Sequence, residues 1–258
     1  MTMHDEAQNS ALPTVIELLW GNRPPSRRGP RPGLSLERIV GAAIELADAH
    51  GLAAVSMNRV AERVGVTPMA LYRYVRSKDD LLLLMSDAVS GNAPEPADPA
   101  KGWRIGLETW SRRYLAVLTA HPWMLEIAVE GPPLGPNQLD WMDSLLRALS
   151  PTTLPEETKV GILMLLNNFV CGEAKTAAGL SQASADPEEQ ARFSYGQLLR
   201  RFVTPQRYPA LHAAVTAGVF TDNGTATGYT DADFSFGLGC VLDGVEQLIR
   251  DHDGEPSP

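Results

Sequence analysis

Residues 56–75 read SMNRVAERVGVTPMALYRYV, and the fold turns on how this stretch is read. Ser56 is a helix-start residue. Val60, Ala61 and Val64 follow at i, i+1, i+4 spacing, which lines one face of a helix. Gly65 stands where a helix ends in a left-handed residue, and Val66 is a lone apolar residue in the turn. Thr67 then caps a second helix. Pro68 is tolerated at its first position because the missing N–H would have no partner there. Leu71, Tyr72 and Val75 repeat the helical spacing. Two short helices across a tight Gly turn make a helix-turn-helix, and the second, Pro68–Val75, has the form of one that enters a DNA major groove. A helical hairpin inside an ordinary bundle fits the same spacing, so the flanks have to separate the two.

On the N-terminal side, Ser35 caps a helix over Leu36–His50, with Ile39, Ala43, Ile44 and Ala47 on one face, Glu37 in the first turn and Gly51 closing it. On the C-terminal side, Ser77-Lys78-Asp79-Asp80 opens another helix with a Ser cap and an acid three residues on. Leu81–Leu84, Met85 and Val89 carry it towards Gly91. Charge also separates the readings. Over the 258 residues the net charge is −9, yet residues 21–85 hold ten Lys/Arg against six Asp/Glu, while 86–258 carry a net −10. A basic head on an acidic body suits DNA binding by the head alone.

Directly before these helices lies GNRPPSRRGPRPG, residues 21–33, with Arg23, Arg27, Arg28 and Arg31 among prolines and glycines and no acid. It cannot be a helix and has nothing to bury. It reads either as a solvated linker or as a basic arm that tracks phosphates or enters the minor groove. Its position favours the arm. Further upstream, Leu12–Trp20 is apolar enough for a short helix that docks on the body.

Composition is that of an ordinary globule: 44% apolar and 21% charged, with no apolar run long enough for a membrane span. The polar, acidic N-terminus does not resemble a signal peptide, so a cytoplasmic location is expected. Cys171 and Cys240 lie far apart without metal-ligand spacing and read as buried thiols. No cofactor or metal is expected. There is no GxSxG, GxxxxGK[ST] or HExxH, and the five His are scattered.

Beyond the Pro-rich boundary at 91–100 the pattern is helical throughout: Trp103–Ala120, a short helix Trp123–Val129 after the His121-Pro122 break, Asn137–Leu149, Pro155–Leu180, Pro187–Phe202, Tyr208–Val219 and Ala232–Asp251. The class is all-α. Three segments are expected: a flexible basic arm over 1–33, a helix-turn-helix domain over 34–90, and a larger helical domain over 98–253.

LSLERIVGAAIELADAHG, LAAVSMNRVAERVGV and TPMALYRYVRSKDDLL together resemble the DNA-binding domain of the TetR family of bacterial regulators. The remaining chain resembles the family in layout, and its basic extension and long, Trp-bearing C-terminal half look most like the tetracycline-repressor branch. The resemblance implies a homodimer on a near-palindromic operator, released by a small effector in the C-terminal domain. It places DNA contacts at Met57, Asn58, Thr67, Pro68, Met69, Ala70, Tyr72, Arg73, Tyr74 and Lys78. Their chemistry fits: Thr67, Tyr72, Tyr74 and Lys78 suit phosphates, Arg73 suits guanine O6 and N7, and Met69 and Ala70 suit thymine methyls. Leu71 and Val75 read as core.

An effector pocket needs apolar walls with a few polar anchors. The candidates are Trp103, Trp110, Tyr114, His121, Met124, Met142, Met164, Asn167, Asn168 and Glu173, each of which could equally serve the core. The effector is expected to be mostly apolar. The Gly-rich last helix, FSFGLGCVLDGVEQLI, pairs with part of 155–180 as the expected dimer interface, through 155–180 and 231–251; packing within one chain is the alternative. The overall expectation is a ligand-responsive repressor. An activator or constitutive DNA binder shares its features, and a helical enzyme or interaction module with a tethering head is the reading from another class.

Overall fold

The structure, a computed structural model, describes residues 14–21, 34–94, 102–127, 133–183, 195–220 and 230–254. All regular elements among them are helical. The chain divides into two compact units, Met1–Leu163 and Met164–Pro258. The Arg23–Arg31 segment lies outside the described residues.

In the first unit, α1 spans Thr14–Leu19, α2 Leu36–His50, α3 Met57–Val64, α4 Pro68–Tyr72 and α5 Lys78–Ser90. The caps read from the sequence are present. Ser35 Oγ accepts from Arg38 N–H at 3.2 Å, Ser56 Oγ from Arg59 N–H at 3.3 Å, Thr67 Oγ1 from Ala70 N–H at 3.3 Å and Ser77 Oγ from Asp80 N–H at 3.0 Å. Each such cap stabilises its helix by ~1 kcal/mol. Gly65 adopts φ 77° and ψ 36°, the left-handed conformation that lets the chain leave α3 and start α4. One difference stands out. The second helix of the motif ends at Tyr72 rather than Val75, with Arg73 as its cap. Val75 is fully buried and Ser77 is already extended to cap α5, so the chain must turn between them.

Ile39, Ala43, Val60, Ala61, Leu71, Val75, Leu81 and Met85 form the centre of one core, each with essentially no exposure. The same unit continues with α6, Trp103–Ala120, a 3-10 turn over Pro122–Glu126, and α7, Pro136–Leu149. Over its described residues, the expected helix at 123–129 is thus a tighter turn; residues 128 and 129 lie outside them. Its Trp123 is 2% exposed and belongs to the core beneath the helix-turn-helix, not to a separate C-terminal core.

α8, Glu156–Ala183, begins in the first unit and runs into the second, which also holds α9, Tyr195–Phe202, α10, Pro209–Thr216, and α11, Asp231–Gly254. Within the second unit Phe169 of α8 lies 5.6 Å, ring to ring, from Phe234 of α11. Phe169 also rests directly on Gly237, where a Cβ would come within 2.9 Å of its ring. This glycine therefore serves packing inside one chain. Gly239 and Gly244 have open space around them. Cys240 is exposed rather than buried as expected, because it lies on the outward stripe of α11 with Phe236 and Leu248.

Candidate nucleic-acid interface

Five residues of α4 and its cap divide cleanly by exposure. Leu71 is fully buried, whereas Met69 is 75% and Tyr72 47% exposed. Large apolar and aromatic groups displayed on a helix this short, with one residue anchoring it below, suit a candidate reading surface better than a core face. Thr67, Pro68, Arg73 and Lys78 are exposed beside them, Asn58 is exposed on α3, and Ala70 is half-buried. Most of the DNA-contact candidates are thus exposed on the motif.

Two candidates are placed differently. Met57 is 7% exposed and packs in the core, so its side chain is turned away from the reading surface. Tyr74 is half-buried against the core, and its hydroxyl donates to the Leu34 carbonyl at 3.1 Å. That bond ties the end of the motif to the residue where the Arg-rich segment rejoins the described chain.

Behind the surface, the motif is held by charge-assisted bonds. Arg63 donates to Glu45 Oε2 through Nε at 3.1 Å and Nη2 at 2.7 Å, joining α3 to α2. Arg38 Nη2 donates to the Val64 carbonyl at 3.2 Å, which satisfies a carbonyl left open at the end of α3.

The effector candidates fall into three groups. Trp110 and Tyr114 meet Trp141 in an aromatic triangle, with ring centroids 5.1 to 5.7 Å apart. Trp110 Nε1 donates to the Trp141 carbonyl and Trp141 Nε1 to the Ser90 carbonyl, both at 2.8 Å. Ser111, next along α6, is fully buried and its hydroxyl has no hydrogen-bond partner among the described residues. Trp103 and Met142 are half-buried in α6 and α7. The second group points to the DNA-binding core: Met124 packs against it, and His121 Nδ1 lies 2.8 Å from Asp48 Oδ1. The third group lies on α8 in the second unit. There Met164 and Asn168 are exposed, Asn167 and Glu173 half-buried, and Glu173 reaches the surroundings of Gly237.

The residues that sequence reasoning missed are those joining the motif to the helices beyond it. Asp48 Oδ1 also accepts the indole N–H of Trp123 at 2.6 Å. Asp87, near the end of α5 and 5% exposed, accepts from Gln138 N–H at 3.0 Å and so caps α7 from outside. Asn137 Nδ2 donates to the Asp87 carbonyl at 3.0 Å, and Gln138 Nε2 to Ser86 Oγ at 3.2 Å. Burial raises the Asp87 carboxyl above the usual carboxylate range; the N–H groups of Gln138 and Asn137 oppose that, and the charge of Asp140 adds to it. A signal was present for both acids. Each sits in the last turn of its helix, where the helix dipole disfavours negative charge. Asp87 also stands on the apolar face of α5 with Leu84.

Comparison with known proteins gives this geometry a family. The profile described as tetracyclin repressor-like, C-terminal domain, matches residues 95–249, and the profile described as bacterial regulatory proteins, tetR family, matches residues 39–85. The chain belongs to the TetR family. Like other TetR proteins it is a transcriptional regulator with a helix-turn-helix DNA-binding domain and a helical C-terminal domain. It is 38% identical over 252 residues to the HTH-type transcriptional repressor DrrR1 of Streptomyces coeruleorubidus, covering 95% of this chain and 89% of the relative. It is 27% identical to the class A tetracycline repressor protein from transposon 1721 of Escherichia coli, over 84% of this chain and 94% of the relative. Among solved structures it is similar to the TetR family protein ActR of Streptomyces coelicolor in complex with actinorhodin. That likeness has a TM-score of 0.68 and 27% identity, covering 85% of this chain and 98% of ActR. Among the described residues of this TetR chain, no helix is long and apolar enough to cross a membrane.

Proposed function

We propose that this TetR regulator is a cytoplasmic repressor that binds a near-palindromic operator as a homodimer and releases it when a small, mostly apolar effector binds the domain over 98–253. The observation that carries the DNA reading is the display of Met69 and Tyr72 on α4 above a buried Leu71. Thr67, Tyr72 and Lys78 grip phosphates, Arg73 reads a base, and Pro68, Met69 and Ala70 make the apolar contacts; Asn58 extends the surface along α3. Arg23, Arg27, Arg28 and Arg31 add phosphate or minor-groove contacts. Repression is supported by the 38% identity to the repressor DrrR1.

Two outward stripes support the homodimer. Met164 and Leu165 are about half exposed on α8, and Phe236 is 77% and Leu248 48% exposed on α11. Paired across a two-fold axis, the two helices of each chain would bury these residues in a four-helix interface. An apolar effector is supported by the aromatic triangle of Trp110, Tyr114 and Trp141, by the buried Ser111 hydroxyl next in sequence to Trp110, which has no partner among the described residues, and by the likeness to ActR in complex with actinorhodin. The effector displaces α6, and Asp48, held by His121 and Trp123, carries the motion into the helix-turn-helix.

The test is a mobility shift on DNA taken from upstream of the protein's own gene, with a scrambled duplex as control and candidate apolar ligands added in turn. A shift of the upstream DNA alone, reversed by a ligand, is the expected result. No shift on any DNA would sink the reading.

A further inference from the structure

The family profile for the DNA-binding domain begins at residue 39, so α1 lies upstream of the part it describes. α1 has six residues, too few to persist as a helix in water by itself. What holds it is tertiary. Leu18 is 8% exposed and part of the core under the helix-turn-helix, with Val15 and Leu19 packed against that core, and α1 lies along α5. At its end Trp20 donates its indole N–H to the Leu134 carbonyl at 3.0 Å. Leu134 immediately precedes Gly135, the N-cap of α7.

Three contacts therefore close a triangle. α1 holds α5 through Leu18. α5 holds the start of α7 through Asp87, Ser86, Asn137 and Gln138. The lead-in to α7 holds α1 through Trp20. With two edges the joint between α5 and α7 is a hinge; the third edge makes it a brace. α1 is a short edge, seated through Val15, Leu18 and Leu19 and one hydrogen bond from a half-exposed ring, and such small elements open readily.

We propose that α1 is an intramolecular strap, and that Trp20 is a positioning residue which fixes α5 against the N-terminal end of α7 and thereby sets operator affinity. The inference rests on the DNA reading above for its affinity arm only. α5 follows directly on the reading surface, with Lys78 at its first position, so a change in its seating reaches DNA through the helix itself.

The experiment compares full-length wild type with Trp20→Phe, which keeps the ring and removes the donor, and Leu18→Ala, which loosens the seat. Amide hydrogen exchange is followed by mass spectrometry, and binding is measured on the upstream DNA. One hydrogen bond of this kind changes an opening equilibrium about three- to tenfold. Trp20→Phe should raise exchange by that factor, and Leu18→Ala by at least as much, at 14–21 and also at 84–90 and 133–139; both should leave 231–254 unchanged and weaken DNA binding threefold or more. Faster exchange confined to 14–21 in both variants would overturn the strap, as would spread exchange with DNA affinity unchanged. Failure of the wild type to bind the DNA would count against the operator reading instead, and the exchange pattern would still decide whether α1 braces the joint.

Discussion

Asp48 and Trp123 lie 75 positions apart, and the indole N–H of Trp123 is bonded to Asp48 Oδ1 at 2.6 Å. The same oxygen lies 2.8 Å from His121 Nδ1. One carboxylate on α2 thus collects both ends of the break after α6. Because Trp123 is 2% exposed, its N–H has no ready access to water if the acceptor is lost. Asp48→Ala should therefore lower stability by about 1–3 kcal/mol, the cost of stranding a buried donor. Urea unfolding of Asp48→Ala, His121→Ala and the double variant checks this. The double variant should lose less than the sum of the two, and strict additivity would mean that the pair does not interact.

Lys78 and Arg73 should separate by the kind of DNA contact they make. Lys78→Ala should weaken binding to all sequences alike and lower the slope of log affinity against log salt by about one unit. Arg73→Ala should cost ~1–3 kcal/mol, concentrated at one base pair of each half-site. Titrations over a salt series and a panel of operator variants read both. A salt slope unmoved by Lys78→Ala, or an even loss across the panel for Arg73→Ala, would contradict the assignments.

Asp87 gives a pH signature. Its folded carboxyl titrates above the ordinary carboxylate value, chiefly through burial, so folding favours the protonated form. That contribution is full below the unfolded pKa and is lost as pH rises through the folded one; at neutral pH the buried charge opposes folding. Asp87→Asn keeps an acceptor for Gln138 N–H without the charge. Its melting temperature should exceed wild type at pH 7.5, and the difference should shrink as pH falls through the carboxylate range. A gap that widens in acid would refute this.

Gly135 is closed to any side chain, because a Cβ there would fall on the carboxylate of Asp87. Gly135→Ala should destabilise by about 1–3 kcal/mol through overpacking. Adding Asp87→Ala should recover part of that loss, which a thermal-melt cycle of the four proteins would measure. No recovery would mean that the two positions do not press on each other.

Ser111 carries a buried hydroxyl without a partner among the described residues. Replacing an unsatisfied polar group by an apolar one of similar size is neutral or stabilising. Ser111→Ala should leave the melting temperature of the ligand-free protein unchanged or higher. A clear drop would show that the hydroxyl is satisfied in solution.

The helix-turn-helix was legible because its determinants are local. Ser35, Ser56, Thr67 and Ser77 each bond an amide three residues on, so a cap can be read from a short window. The spacing of Val60, Ala61 and Val64 likewise depends on helix geometry alone. Exposure on α4 followed from the same periodicity. Tyr74 and Met57 did not, since each lies at an edge of the helical pattern, where the path of the chain decides which way a side chain points. The pairing of His121 with Asp48 leaves no local mark, because the two lie 73 positions apart.

By itself, the sequence of this protein determined the all-α class, the order of its helices and the division of α4 between buried Leu71 and exposed Met69 and Tyr72, because capping and periodicity act within one or two turns. Only the tertiary structure decided which polar residues became joints, that Trp123 belongs to the core beneath the helix-turn-helix, and that Gly237 admits Phe169. Those outcomes depend on which surfaces meet across long stretches of chain. A hydrogen bond such as that of Trp20 to Leu134, 114 positions apart, leaves no periodic mark on either side.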